Sequence, residues 1–439
     1  MARDGEERRP LLGQHWSEYE DTRQLLKLSN YEKQDSRAWP RWRKLVNIFV
    51  IAMMSIISPL ASSMFTPGIS QIATDLRTTP TAVIGTTTSF VVFLGIGPLI
   101  LAPLSETFGQ RPLYLSCFTI FALLQIPTAL APNIESLIHV RSFAGFFGSV
   151  GIANGGGTIS DMFIPEERAG VFGWYLLGPL LGLTLGPLFG GIIVQRLGWR
   201  WIFWILIVVC SINTLAGYFF LRETTNRDSD ATNYRFEGEV TRSLKRKILT
   251  SLSRPPKMFT QPIVATIAMY QALLFATTYS IYTNMQNIYQ GLYGFDTEKV
   301  GLLYLGLGLG KLLAVWFLVP RIDDIFASIV PAFLFGVGMV MILNRTQNYC
   351  IDSFETYAAS AIAAGTVFRS LVGGVVPLFA PMLFERLGYG WGISVFAFVG
   401  VVLAPAPVLF YVFWGRIRET YAVELWMGWV EVGGMCIQI

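Results

Sequence analysis

The sequence predicts an all-α polytopic membrane protein built as two helical bundles, and three observations carry that prediction. Of its 439 residues, 53% are hydrophobic and only 14% charged, with a mean hydropathy of +0.50, a balance foreign to soluble multidomain enzymes. The charge is segregated: Lys and Arg crowd into the N-terminal tail (Arg37, Arg41, Arg43, Lys44), the stretch 222–257 and the pair Arg416 and Arg418. The third observation is an internal echo. PLFGGIIVQRLGWRW (Pro187–Trp201) and PLFAPMLFERLGYGW (Pro377–Trp391) share Pro, Leu, Phe, then Arg, Leu, Gly, an aromatic and Trp at one constant offset. Transporters made of two similar bundles leave such repeats in their sequences.

A spanning helix needs about 20 mostly apolar residues. Runs of that kind lie at 45–66, 82–103, 112–131, 137–160, 170–195, 200–221, 262–289, 300–319, 327–350, 357–384 and 391–414, eleven in all. Residues 1–44 are polar and of mixed charge, with no apolar core behind a basic start. They read as a cytosolic tail, and the first span as the insertion signal. Residues 45–221 form the N-terminal six-helix bundle. The linker 222–261 carries Arg242, Lys245, Arg246 and Lys247, which the positive-inside rule places in the cytosol, and six intervening spans put the N-terminus there too. Residues 262–414 form the second bundle, with five spans. In the tail, 415–439, the apolar and aromatic end suits an interfacial helix. Four scattered cysteines, at no metal or disulfide spacing, read as core residues.

The fifth span holds the most informative pattern. Gly178, Gly182, Gly186 and Gly190 recur four apart, with Gly191 beside them and Pro179 and Pro187 embedded. Glycines at that spacing line one helix face and admit a neighbouring backbone, and proline lets the helix bend. The echo also serves as a ruler. Gly97 to Pro187 is 90 residues, whereas Gly310 to Pro377 is 67, a shortfall of 23, or about one membrane helix. The second half is therefore predicted to lack its third helix.

These motifs resemble the major facilitator superfamily, and within it the fungal drug and polyamine proton antiporters of twelve spans. The resemblance runs over about residues 40–418. It rests on Gly182, Gly186, Pro187, Gly190 and Gly191 in the fifth helix, and on Gly97-Pro98, Ala102 to Glu106, Gly109 and Arg111-Pro112 around the second loop. Arg141 with Gly145, Asn154 to Asp161, Pro165 to Arg168, and Asn348, Tyr349, Asp352, Tyr357 to Ala361 and Arg369 to Leu371 extend it. Gln110 stands where the signature prefers a basic residue. The resemblance implies the major facilitator fold, two bundles related by pseudo-symmetry around a midplane cavity, with eleven predicted spans instead of twelve. It also implies proton-coupled efflux of a drug, polyamine or secondary metabolite by alternating access.

Glu106 and Arg111 flank the turn after span two. Such pairs latch facilitator bundles in one state and release in the other; a solvated loop ion pair is the plainer reading. The resemblance implies a gating role for the fifth-helix glycines and Pro187 as well. Arg141, near the outer end of span four, is expensive in a membrane unless it faces a cavity, meets a partner or snorkels outward. Arg369 lies about twelve residues into its span, so it either lines the cavity or bonds neighbouring carbonyls. Lys311, in an apolar run, suits an anionic ligand or a perturbed titration. Asn154, Asp161, Tyr270, Gln271, Tyr279, Asn348 and Asp352 supply amides, acids and aromatics where central cavities are built. No carboxylate lies deep within the first six spans, so proton coupling is not pinned to a buried acid.

The sequence holds no nucleotide-binding loop, metal cluster or nucleophile constellation, and so reads as a non-enzyme with no cofactor and no nucleic-acid partner. The expected partners are the lipid bilayer, a small-molecule substrate and protons, with the chain a monomer in the plasma membrane. Two alternatives stay open: uptake of a metabolite on the same fold, and a shortened chain that inserts without transporting.

Overall fold

The computed structural model describes residues 36–224, 262–294, 296–298, 300, 304, 336–339, 342–343, 358–403, 405, 430–432 and 435–437. Among these are eight helices long and apolar enough to cross a membrane. Large apolar side chains such as Ile212, Leu215, Phe219 and Val402 are exposed, which in water would be an anomaly and in lipid is the expected outer surface.

Helix α1 (Arg41–Ser63) follows Pro40 and contains Pro59. The Ser62 and Ser63 hydroxyls donate back to the Pro59 carbonyl at 2.7 and 3.1 Å, serving the helix end. A 3₁₀ turn (Thr66–Gly68) leads into α2 (Ile69–Asp75). Thr79 caps α3 (Pro80–Phe108), its Oγ1 accepting from the Ala82 amide, with Pro80 in the first turn, where its missing N–H costs nothing. Gly109 sits at φ 96° between α3 and α4 (Gln110–Ala129), a conformation that favours glycine. Asn133 caps α5 (Ile134–Gly148) through the Ser136 amide. There follow α6 (Val150–Met162), α7 (Pro165–Arg196), α8 (Arg200–Phe220), α9 (Pro262–Tyr293) and α10 (Ala358–Leu403).

Three sequence expectations are refined. Span four, read as one run over 137–160, is broken at Ser149, whose Oγ donates to the Phe146 carbonyl at 2.7 Å; such back-bonding bends helices. The runs 357–384 and 391–414 join in α10, which turns at Gly388 (φ 75°, ψ 163°). The tail is corrected: instead of an interfacial helix, β1 (Val430–Val432) and β2 (Met435–Ile437) pair antiparallel. The physical reason is the Gly433-Gly434 pair between them, which favours a tight hairpin turn and weakens a helix. The candidate spans 300–319 and 327–350 lie largely outside the described residues, so the proposed missing helix does too.

The repeat in the sequence reappears as packing. Helix α1 packs chiefly on α7, and α9 chiefly on α10. Gly178 and Gly182 lie against Ile56, and Gly186 and Gly190 against Ser63 and Met64, so α1 and α7 run parallel. Gly365 lies against Gln271 and Gly373 against Phe275, so α9 and the first part of α10 run parallel as well. Past Gly388 the chain returns, with Gly400 against Leu273 and Leu403 accepting from Tyr270. Because α9 and α10 are parallel, α10 begins at the opposite end of the bundle from the end where α9 stops. Two plain crossings between them would return the chain to the same end, so a simple eleven-span count does not fit these two helices.

Candidate functional site

Helix α10 also packs on α3, and this seam joins the two halves. An added Cβ at Gly95 would strike Ser370, and one at Gly374 would press on Val92 and the Thr88 carbonyl. The Thr88 hydroxyl donates to the Gly374 carbonyl at 2.7 Å. Beside the seam the Ser62 and Tyr279 hydroxyls meet at 3.0 Å, both buried. Thr87, Thr88, Tyr279, Thr283 and Gly374 wall a narrow crevice where α3, α9 and α10 converge. Farther toward the same end, Arg196 pairs with Glu298 at 2.8 Å, and the Glu298 amide donates to Gln195 Oε1 at 2.7 Å.

Arg141 projects from α5 into the middle of this assembly and is 0% exposed. Its Nη1 donates to the Ala61 carbonyl at 3.2 Å. Its guanidinium stands 4.6, 5.0 and 5.7 Å from the ring centres of Phe90, Phe65 and Phe203. Ring faces of this kind stabilise a cation where water is absent, but they leave its in-plane N–H groups unserved, and Nε and Nη2 have no partner among the described residues. Snorkelling is thereby excluded as the account of Arg141. Arg369, on α10, lies 4.8 Å over the Phe275 ring, and its Nε is likewise unpartnered. Tyr279 is within electrostatic range of both guanidiniums and packs its ring tilted on Phe275 and edge-on to Tyr282.

At the opposite end a different group of residues gathers. Gln110 Nε2 donates to Asp161 Oδ2 at 2.9 Å, while its Oε1 accepts from Thr224 at 2.9 Å and from Thr158. The Glu223 carboxylate accepts from the Gln110 and Arg111 amides at 2.9 and 3.2 Å, an acidic cap on the N-terminus of α4. Arg111 Nη2 donates to the Tyr218 carbonyl at 3.0 Å. All of these bonds stay within the first half of the chain.

The structure thus brings together Arg141, Tyr279 and Arg369, and separately Arg111 and Asp161. Asn154 is buried on α6 with its Nδ2 unpartnered among the described residues, and Gln271 is buried against Gly365. Tyr270 lies away from this group, its hydroxyl donating to the Leu403 carbonyl. Glu106 falls in the last turn of α3, and its side chain lies outside the described residues, as do Lys311, Asn348 and Asp352. Gly182, Gly186, Pro187, Gly190 and Gly191 are buried along α7. Ser62, Thr88, Gln110 and Glu223 are missed by sequence reasoning. Gln110 is visible there only as a departure from the family pattern.

Removing the Tyr279 hydroxyl tests the seam. Tyr279→Phe is expected to lose about 1 kcal/mol of the hold between the halves, a shift of roughly fivefold toward opening. Alkylation of a cysteine placed at Ile84, on the crevice wall, reports it; an unchanged rate rules the contact out as a latch.

Comparisons with known proteins agree with this architecture. The chain is 32% identical to the MFS-type transporter tndD of Aspergillus flavipes, over 86% of this chain and 82% of that protein. It is 33% identical to the efflux pump radE of Floropilus chiversii, over 87% and 82% respectively. Among solved structures it resembles a D-xylose-proton symporter, at a TM-score of 0.59 and 14% identity, over 81% of this chain and 96% of that one. The family model described as Major Facilitator Superfamily matches residues 51–343. With two similarly packed bundles meeting along α3 and α10, the chain belongs to the Major Facilitator Superfamily of membrane transporters.

Proposed function

We propose that the chain is a proton-coupled efflux transporter of small amphiphilic compounds, acting as a monomer in the plasma membrane by alternating access. The observation that carries this reading is the uneven distribution of bonds between the halves. Ser62–Tyr279, Thr88–Gly374 and Arg196–Glu298 cluster from the middle toward one end, whereas the hydrogen bonds described at the other end, around Gln110, join parts of the first half. Bundles that rock about a central site alternate which end is sealed. With the N-terminus cytosolic, the sealed end faces outward. In this reading Glu106 and Arg111 latch the cytosolic end when it closes, the α7 glycines and Pro187 shape the gate, and Arg141 and Arg369 serve the central site. The relative named an efflux pump supports the outward direction.

Purified chain in proteoliposomes, with an imposed proton gradient and a fluorescent amphiphile, tests the proposal. Accumulation is expected to follow the gradient and to collapse with an uncoupler; transport indifferent to the gradient defeats the antiport reading. The parallel course of α9 and α10 supports a cytosolic position for Arg416 and Arg418, matching the positive-inside preference. A reporter tag after Arg418 checks this. The 23-residue shortfall favours a second reading, a shortened second half that inserts correctly without transporting. Correct tag placement with no flux of any kind supports that one.

A further inference from the structure

The central site carries one fully buried guanidinium, Arg141, and a half-buried one, Arg369, whose Nε is enclosed, and, among the described residues, no acid to match them. Every described Asp or Glu sits at or near a helix end, in a connection or in the C-terminal hairpin: Asp75, Glu106, Glu135, Asp161, Glu166, Glu167, Glu223, Asp296, Glu298, Glu385 and Glu431. A charge held away from water needs a counter-charge or a full set of hydrogen bonds. Arg141 has neither: one N–H reaches the Ala61 carbonyl, and two nitrogens donate to nothing described. Arg369 Nε and the Thr87 hydroxyl add two more unpartnered groups. The bias is general, because among the described residues Gln125 Oε1 alone of the buried unpartnered side-chain atoms is an obligate acceptor. Such an imbalance calls for an acceptor-rich ligand, and the cation pair calls for a negative one.

From this geometry we infer that the site takes organic anions: a planar, aromatic body carrying a carboxylate. The carboxylate accepts from the free N–H groups of Arg141 and Arg369, in the charge-assisted geometry that guanidinium favours. The Phe65, Phe90, Phe203 and Phe275 rings that flank the guanidiniums supply the apolar surroundings, and Tyr279 lies within electrostatic range of both cations. This names the substrate class for the transport reading given above, and it rests on that reading.

The test is equilibrium binding to the purified full-length chain by titration calorimetry, with three isosteric probes: 2-naphthoate, 2-naphthylmethanol and 2-naphthylmethylammonium. Naphthoate is expected to bind about tenfold or more tightly than the other two, the span of one to two charge-assisted hydrogen bonds. Arg369→Gln is expected to remove that preference and Arg369→Lys to keep part of it. Comparing probes on the unmodified chain needs no variant to fold. Equal binding of the three, tighter binding of the ammonium, or no binding of naphthoate overturns the inference. So does a naphthoate preference that survives both Arg369→Gln and Arg141→Gln. Because binding is read without a gradient, loss of the anion preference leaves proton-driven efflux standing, and failed flux leaves the preference readable.

Discussion

Gly182→Val is expected to unpack α1 from α7 and lower stability by about 3 kcal/mol, the upper range for overpacking a close-packed interior. The added Cβ would fall on the Ile56 carbonyl oxygen. That atom belongs to a helix backbone and cannot rotate aside as a side chain would, so one helix must move off the other. Gly190 meets the Met64 carbonyl in the same way, and Gly190→Val should behave alike. Gly173 lies on the same helix with open space beyond it. Gly173→Ala is therefore expected to be neutral or to stabilise by up to about 1 kcal/mol, the helix-propensity difference. Thermal unfolding of the detergent-purified chain separates the cases, and equal midpoints for Gly182→Val and the parent refute the close-approach seam.

Arg141→Met is expected to split stability from transport. Methionine roughly keeps the apolar length of the arginine stem, fills the space among Phe65, Phe90 and Phe203, and removes an ion with unserved N–H groups. Replacing buried charges with apolar residues is often neutral or stabilising, so the unfolding midpoint should hold or rise. Gradient-driven flux should fall roughly tenfold or more, the scale of losing one charged hydrogen bond in a dry site. Arg141→Lys keeps the charge but presents a compact, strongly hydrated ammonium in place of a planar fork, and should lose both stability and flux. If Arg141→Met transports normally, the guanidinium is a packing residue.

Much of this architecture is legible in the sequence. Composition and run length give the first seven spans, and the glycine stripe names its own packing face, because four-residue spacing admits only one geometry on a helix. The repeat around Pro187 and Pro377 foretells that α7 and α10 occupy equivalent places. What sequence cannot carry is pairing across the fold. Ser62 and Tyr279 are 217 residues apart, and nothing local to either marks them as partners. Gln110 reads as a weakened signature position until Asp161, Thr158 and Thr224 surround its amide. Counting spans misleads for a related reason: an apolar run reveals length but not direction. The parallel lie of α9 and α10 supplies the direction that an apolar run lacks.

The glycine seam between α1 and α7 has a mechanical consequence. Two helices joined backbone to backbone have few side chains to repack, and each register step along the seam would drive a Cα into a carbonyl, so sliding is resisted. On the transport cycle proposed above, the α1–α7 pair would behave as a stiff beam, so that strain introduced at Arg141 and Arg369 would be passed on rather than absorbed inside the first bundle. It would be delivered to the boundary between the halves, where the Thr88–Gly374 and Ser62–Tyr279 bonds and the Arg196–Glu298 pair must break. In such a machine, softening the beam should waste driving force as uncoupled leakage before it stops movement altogether.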